Sequence, residues 1–222
     1  MHTHTHSHES PAQTEGRLIR WAAFYDGLVN IVTLGHTGML RTQTVDLAML
    51  KPGEKVLDVG CGTGGVTIPA KRRVGQDGSA AGIDPAPEMI AVAKKKALRA
   101  KLEIDFRVGA IESLPYEDAA FDVVTSSLMM HHLPENLRVK GLAEVRRVLK
   151  PGGRLLIADM TRSGTSMHAR IFAALTMHRG HGDQFDIQDL PELLKEAGFD
   201  EINLLDDHFL TIGFLRANKP AS

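Results

Sequence analysis

Lys55-Val-Leu-Asp-Val-Gly60 is a short apolar run that leads straight into a turn with glycine at alternate positions, Gly60-Cys-Gly-Thr-Gly64. A helical pattern over Gly65–Val74 follows at once. A strand that reads apolar on both faces belongs inside a parallel sheet covered by helices. The glycines add a second constraint. Lacking Cβ atoms, Gly60, Gly62 and Gly64 let the backbone turn tightly and let a ligand approach it closely. Strand, glycine turn and helix in that order predict an α/β fold.

The rest of the chain keeps the alternation. Ser79-Ala-Ala-Gly-Ile-Asp84 predicts a second strand. Pro87–Ala100 predicts a helix with Met89, Ile90, Val92, Ala93 and Ala97 as apolar positions and Lys94-Lys-Lys96 as a solvated face. Leu102–Val108 alternates as a third strand, Phe121–Ser126 reads as the fourth and Arg154–Asp159 as the fifth. The intervening helix, Glu135–Leu149, stops at Lys150-Pro-Gly-Gly153, where proline and paired glycines block continuation. Residues 166–178 and 188–197 predict two further helices, and Phe199–Leu205 with His208–Leu215 a closing strand pair around Asp206-Asp207. Upstream, Glu15–Leu34 and Gly38–Leu50 read as two helices ahead of the sheet. The first carries Trp21, Phe24 and Tyr25, and is either a lid over a pocket or a helix packed on the sheet. The implied organisation is a disordered His-rich tail over 1–14, an N-terminal helical cap over 15–50 and an α/β core over 51–222.

Charge removes one class of function. With 26 Lys+Arg against 27 Asp+Glu, the chain has no excess of basic residues with which to grip nucleic acid. No apolar run approaches the roughly 20 residues of a membrane span, and the first residues lack the features of a secretory signal, so a cytoplasmic setting is expected. A single cysteine, Cys61, excludes an internal disulfide. His2, His4, His6 and His8 make either a metal-binding tail or one that chelates only incidentally. No metal site is assigned to them.

The glycine turn leaves two ligand classes open. Helix amides beyond it offer unpaired donors to an anionic group. A dinucleotide site uses a similar strand–turn–helix, but its fingerprint is G-x-G-x-x-G, whereas this turn is G-x-G-x-G with Asp58 two positions before the first glycine. Asp84, closing the second strand, can accept both hydroxyls of a ribose; it can also cap the helix that follows.

Four blocks, in order, carry a resemblance. Val56-Leu-Asp-Val-Gly-Cys-Gly-Thr-Gly64, Gly82-Ile-Asp-Pro-Ala-Pro-Glu-Met89, the stretch Phe121–Leu133 and Leu149-Lys-Pro-Gly-Gly-Arg-Leu-Leu156 resemble motifs of the class I S-adenosylmethionine-dependent methyltransferases. The resemblance implies a Rossmann-like, seven-stranded, mostly parallel sheet flanked by helices, and S-adenosylmethionine as cofactor, with S-adenosylhomocysteine as product. It implies that the loop of Asp58, Gly60, Cys61, Gly62, Thr63 and Gly64 holds the methionine moiety, with Asp58 near its amino group. Asp84, next to Pro85, then binds the ribose, and Met89 packs near the adenine. Ala110 stands where many relatives have an aspartate for the adenine amino group, leaving the Ile111 amide for that role. Ser126 and Ser127 face the methyl donor.

Methyl transfer from a sulfonium mainly requires alignment and exclusion of water. His131 and His132 lie just past the fourth strand, where an acceptor would arrive; each is a candidate base or a structural residue. Trp21-Ala-Ala-Phe-Tyr-Asp-Gly-Leu28 resembles the N-terminal helix of quinone and menaquinone C-methyltransferases and some phospholipid N-methyltransferases, which makes Tyr25 a candidate cap over the site. The expected acceptor is a small molecule, apolar or lipid- or quinone-like, with peripheral membrane contact and a homodimer as open features. Alternatives are O- or N-methylation of a soluble metabolite, or a silent S-adenosylmethionine-binding protein.

Overall fold

The computed structural model describes residues 36–161 and 185–221. Expectations for the His-rich tail, the helix over 15–34 with Tyr25 and the helix over 166–178 lie outside those residues.

The elements run α1 (Thr37–Leu47), β1 (Lys55–Val59), α2 (Thr67–Val74), β2 (Ser79–Asp84), α3 (Pro87–Arg99), β3 (Asp105–Val108), β4 (Phe121–Ser127), α4 (Glu135–Val148), β5 (Leu149–Met160), α5 (Leu190–Glu196), β6 (Asp200–Phe209) and β7 (Ile212–Asn218). Short 3-10 turns cover Met130–His132 and Ile187–Asp189. The strands form one seven-stranded sheet in the order β3-β2-β1-β4-β5-β7-β6, with β7 antiparallel to both neighbours and the other pairings parallel. Strand order reverses between β1 and β4. At such a reversal the flanking helices leave on opposite sides, and a crevice opens past the strand ends.

Both sheet faces are covered. Val56, Val123 and Leu156 pack with Val45, Ala48 and Leu50 from α1 and the segment after it, and with Ala70 and Val74 of α2. Leu57, Val124, Leu155 and Ile157, the alternate positions, join Leu142 and Val145 of α4 and Leu190 and Leu194 of α5. Alternation along continuously apolar strands thus feeds two cores, one per face. Leu40 of α1 extends the first core over Ala158 and Phe214, which makes this helix part of the packed domain.

Several boundaries differ from the sequence expectation, three of them for a clear physical reason. The third strand starts at Asp105, because Leu102 is used to end α3: its amide bonds Ala97 O at 3.0 Å, and Lys101 adopts φ 54°. The fifth strand begins at Leu149, with Lys150-Pro-Gly-Gly153 taken into it at a register shift against β4. The closing strands do not turn at Asp206-Asp207. Those residues stay within β6, where an irregular register and an exposed edge tolerate paired acids, and the reversal falls at Leu210-Thr211, with Leu210 at φ 55°.

Candidate functional site

The glycine turn sits at the carboxyl end of β1, at the strand-order reversal. Gly60, Gly62 and Gly64 take φ of 72°, 52° and 80°, the left-handed region that side chains with a Cβ disfavour. Gly60 is also sterically required, since a Cβ there would lie 2.4 Å from Met129 Cγ and 2.8 Å from Met129 Cβ. The amides of Gly60 and Cys61 both bond Ile83 O, at 2.9 and 3.0 Å, which ties the turn to the end of β2.

Asp84 completes that tie. Its Oδ2 accepts the Gly62 amide and its Oδ1 the Ala86 amide, each at 2.9 Å. Burial raises its pKa, opposed by the Ala86 and Gly62 amides. Ala86, not Asp84, occupies the cap position of α3. Each Asp84 oxygen has one such bond, so lone pairs remain for two further donors.

Asp58 has a different environment. It is fully buried, with Oδ2 accepting Thr67 Oγ1 at 2.6 Å and Oδ1 accepting Thr125 Oγ1 at 3.0 Å. Burial pushes its pKa up to about 6 against those hydrogen bonds. Asp58 thereby joins β1, β4 and the first turn of α2 beneath the loop.

The cleft is lined by the turn and Asp58, by Thr37 and Arg41 of α1, and by Ser127 at the end of β4 with Leu128 after it. Arg41 presses on the loop: a Cβ on Gly65 would come within 2.6 Å of its Nε. Thr63 accepts Lys96 Nζ at 2.8 Å. Cys61 borders the cleft and packs with Ile90, Ala93 and Phe106, and burial raises its thiol pKa strongly. Met89 is buried with Ala86, and Pro85 is half-buried beside Asp84. Ala110 and Ile111 are buried; the Ile111 side chain fills the space over Gly141. The Ser126 hydroxyl is buried and has no hydrogen-bond partner among the described residues.

Past β4 the two histidines are brought together with a residue that sequence reasoning missed. Asp159, at the end of β5, is fully buried and places Oδ1 2.6 Å from Nδ1 of His131. The His131 and His132 rings are 3.9 Å apart, and Phe185 lies 6.4 Å from His131. Arg41 was missed as well. Asp159 had one signal in the sequence, an acid ending an apolar strand as Asp84 does; Arg41 had none.

Residues 56–153 match a family model described as a methyltransferase domain. A demethylmenaquinone methyltransferase of Bacillus mycoides is 34% identical over 139 residues, covering 62% of this chain and 58% of the relative. Phosphoethanolamine N-methyltransferase 3 of Arabidopsis thaliana is 35% identical over 180 residues, 79% of this chain and 36% of the relative. An arsenite methyltransferase of Halobacterium salinarum is 34% identical over 158 residues, 71% and 40% respectively. The chain therefore spans 36% to 58% of the length of these relatives. Among solved structures, an S-adenosylmethionine-dependent methyltransferase from Aquifex aeolicus superposes with TM-score 0.66 at 22% identity, covering 80% of this chain and 88% of that one. The [4+2]-cyclase SpnF does so with TM-score 0.66 at 21% identity, covering 96% and 99%. Likeness at that level speaks for the fold alone.

Proposed function

We propose that the chain is a class I S-adenosylmethionine-dependent methyltransferase that passes the methyl group of this cofactor to a small-molecule acceptor, a reading supported by the methyltransferase-domain match over residues 56–153 and by relatives 34–35% identical. The observation that carries the reading is the cradle of left-handed glycines at the strand-order reversal, with the Asp84 carboxylate beside it. A Cβ at Gly60 or Gly65 would collide with Met129 or Arg41, so glycine there lets those two side chains pack against the turn. Bound, the cofactor supplies an electrophilic methyl carbon on a sulfonium. Asp84 would receive the ribose hydroxyls on its remaining lone pairs. Arg41 would supply positive charge for the amino-acid carboxylate, and the orphan Ser126 hydroxyl and Ser127 would border the methyl donor. Asp58, which borders the cleft, would lie near the amino group of the methionine moiety, and its two threonine bonds anchor the turn.

Relatives named for demethylmenaquinone, phosphoethanolamine and arsenite leave the acceptor type broad. Met129, Phe185 and the paired imidazoles past β4 favour an acceptor with an apolar or ring body, a quinone- or lipid-like molecule, met by His131 as base. No helix of the described residues is long and apolar enough to cross a membrane.

Calorimetric titration with S-adenosylmethionine and S-adenosylhomocysteine, with NADH as control, tests the cofactor reading. Binding of the first two that is lost in Asp84→Ala supports it; binding of NADH alone refutes it. Labelled methyl donor then screens acceptors, and vesicle sedimentation tests the lipid-like version.

A further inference from the structure

His131 and Asp159 stand 28 residues apart in sequence and are locked together where β4 and β5 end. The Asp159 carboxylate is held on both oxygens: the Met160 amide reaches Oδ1 at 2.7 Å and the Met130 amide reaches Oδ2 at 2.8 Å. An ionised carboxylate only accepts, so its contact with His131 assigns the ring hydrogen to Nδ1 and the lone pair to Nε2. The His131 side chain keeps 25% exposure while Asp159 has none, and it lies three residues beyond Leu128, which lines the cleft. A neutral amide would tie this loop equally well. A buried carboxylate does something more, because it stabilises an imidazolium when the ring takes a proton.

We propose that Asp159 is a positioning residue that holds His131 in the Nδ1–H tautomer, making Nε2 the proton acceptor, and that the methyl acceptor therefore belongs to the class that gives up a proton on methylation: an amine, a hydroxyl or a quinol. The inference rests on the methyl-transfer reading. In the step, with X the amine nitrogen or the hydroxyl oxygen (a quinol's included), the acceptor's X–H bond breaks heterolytically; the proton goes to Nε2 and the electron pair forms the X–C bond. The pair of the breaking C–S bond stays on sulfur, so one positive charge moves from sulfonium to imidazolium. Among the described residues, the charged and titratable groups near His131 are His132 on its own turn, Asp159 on β5, and Arg138 on α4, whose guanidinium lies 4.8 Å from the Phe185 ring centroid. Asp186, next to Phe185, is engaged in its own turn cap. His132 when charged and Arg138 both oppose an imidazolium at His131, which leaves Asp159 as the favourable partner.

Full-length protein labelled with 15N in its histidines reads the tautomer by ring 15N–1H correlation, with His131→Asn assigning the signal. The expected result is an unprotonated Nε2 in the neutral ring, and a shift toward the Nε2–H form in Asp159→Asn. An Nε2–H tautomer in the wild-type protein, or one unchanged in Asp159→Asn, overturns the proposal. His131→Asn can still donate an amide hydrogen to Asp159, so its melting temperature and cofactor affinity should hold while transfer slows by about 10²–10⁴-fold. Phosphoethanolamine and a reduced naphthoquinone serve as protic probes; transfer by His131→Asn at the wild-type rate, or transfer to arsenite and to neither protic probe, also overturns it. Should Asp159→Asn fail to fold, the wild-type tautomer and His131→Asn still decide. A wild-type protein that does not bind S-adenosylmethionine would sink the methyl-transfer reading and leave the tautomer measurement standing as a separate result.

Discussion

Gly60→Ala is expected to destabilise the protein far more than an alanine at another left-handed glycine. Two terms add at Gly60. Its φ of 72° puts an L residue in the left-handed region, which costs about 1–2 kcal/mol. Its new Cβ would also meet Met129 Cγ at 2.4 Å and Cβ at 2.8 Å. Those atoms lie close to the Met129 backbone, so rotating the flexible end of the side chain relieves neither contact. Overpacking of this kind costs about 1–3 kcal/mol, which brings the total to about 2–5 kcal/mol. Gly152 is the internal control, with φ of 74° and nothing within 4 Å of its Cβ position among the described residues. Gly152→Ala should lose only the first term. Urea unfolding of both variants, with the m-value checked for constancy, gives the difference directly. Met129→Ala in the Gly60→Ala background removes the 2.4 Å contact but leaves the 2.8 Å one, so it should restore part of the loss as a positive coupling. Gly60→Ala within about 0.5 kcal/mol of Gly152→Ala would refute the steric argument.

Asp58, with its folded pKa raised to about 6 from 3.8, binds a proton more tightly in the native state than in the unfolded chain. Its contribution is thus fully present below about pH 4 and is lost as pH rises through 6, by roughly 2–3 kcal/mol. The wild-type minus Asp58→Asn difference in urea-derived stability should fall across that window; a flat difference would show that Asp58 titrates normally. Arg154 donates to Ala48 O, Met49 O and both oxygens of Glu54, clamping the segment after α1 to β5. Arg154→Ala should cost about 2–4 kcal/mol in urea and Arg154→Lys a smaller part, because lysine lacks the fork that serves several acceptors; equal losses would count against that geometry. Arg41→Ala should weaken S-adenosylmethionine binding by about 10–100-fold in calorimetry, the weight of a charge-assisted hydrogen bond. Undiminished affinity would remove Arg41 from the site.

The loop was legible because its signal is local. Glycine at three alternate positions after an apolar strand admits few backbones, and the structure has those residues at positive φ where the strand order reverses. Helix and strand identities followed for the same reason, since a period of two or 3.6 is written in consecutive residues. Errors gathered where local chemistry was overruled. Asp206-Asp207 looked like a turn, yet both residues remain in β6. Edge strands face water, so acidic residues there carry little penalty and lose their value as punctuation.

By itself, then, the sequence determined the layered α/β fold, the place of the ligand turn and the acid at the end of the second strand, all consequences of short-range pattern. Only the tertiary structure decided what those residues touch. It set Asp58 against Thr125 from a strand 67 residues away, pressed Arg41 onto Gly65, and joined His131 to Asp159. Such contacts depend on strand register and helix docking. One residue of slip would turn each side chain to the opposite face of the sheet, and register is fixed by the packing of both cores together.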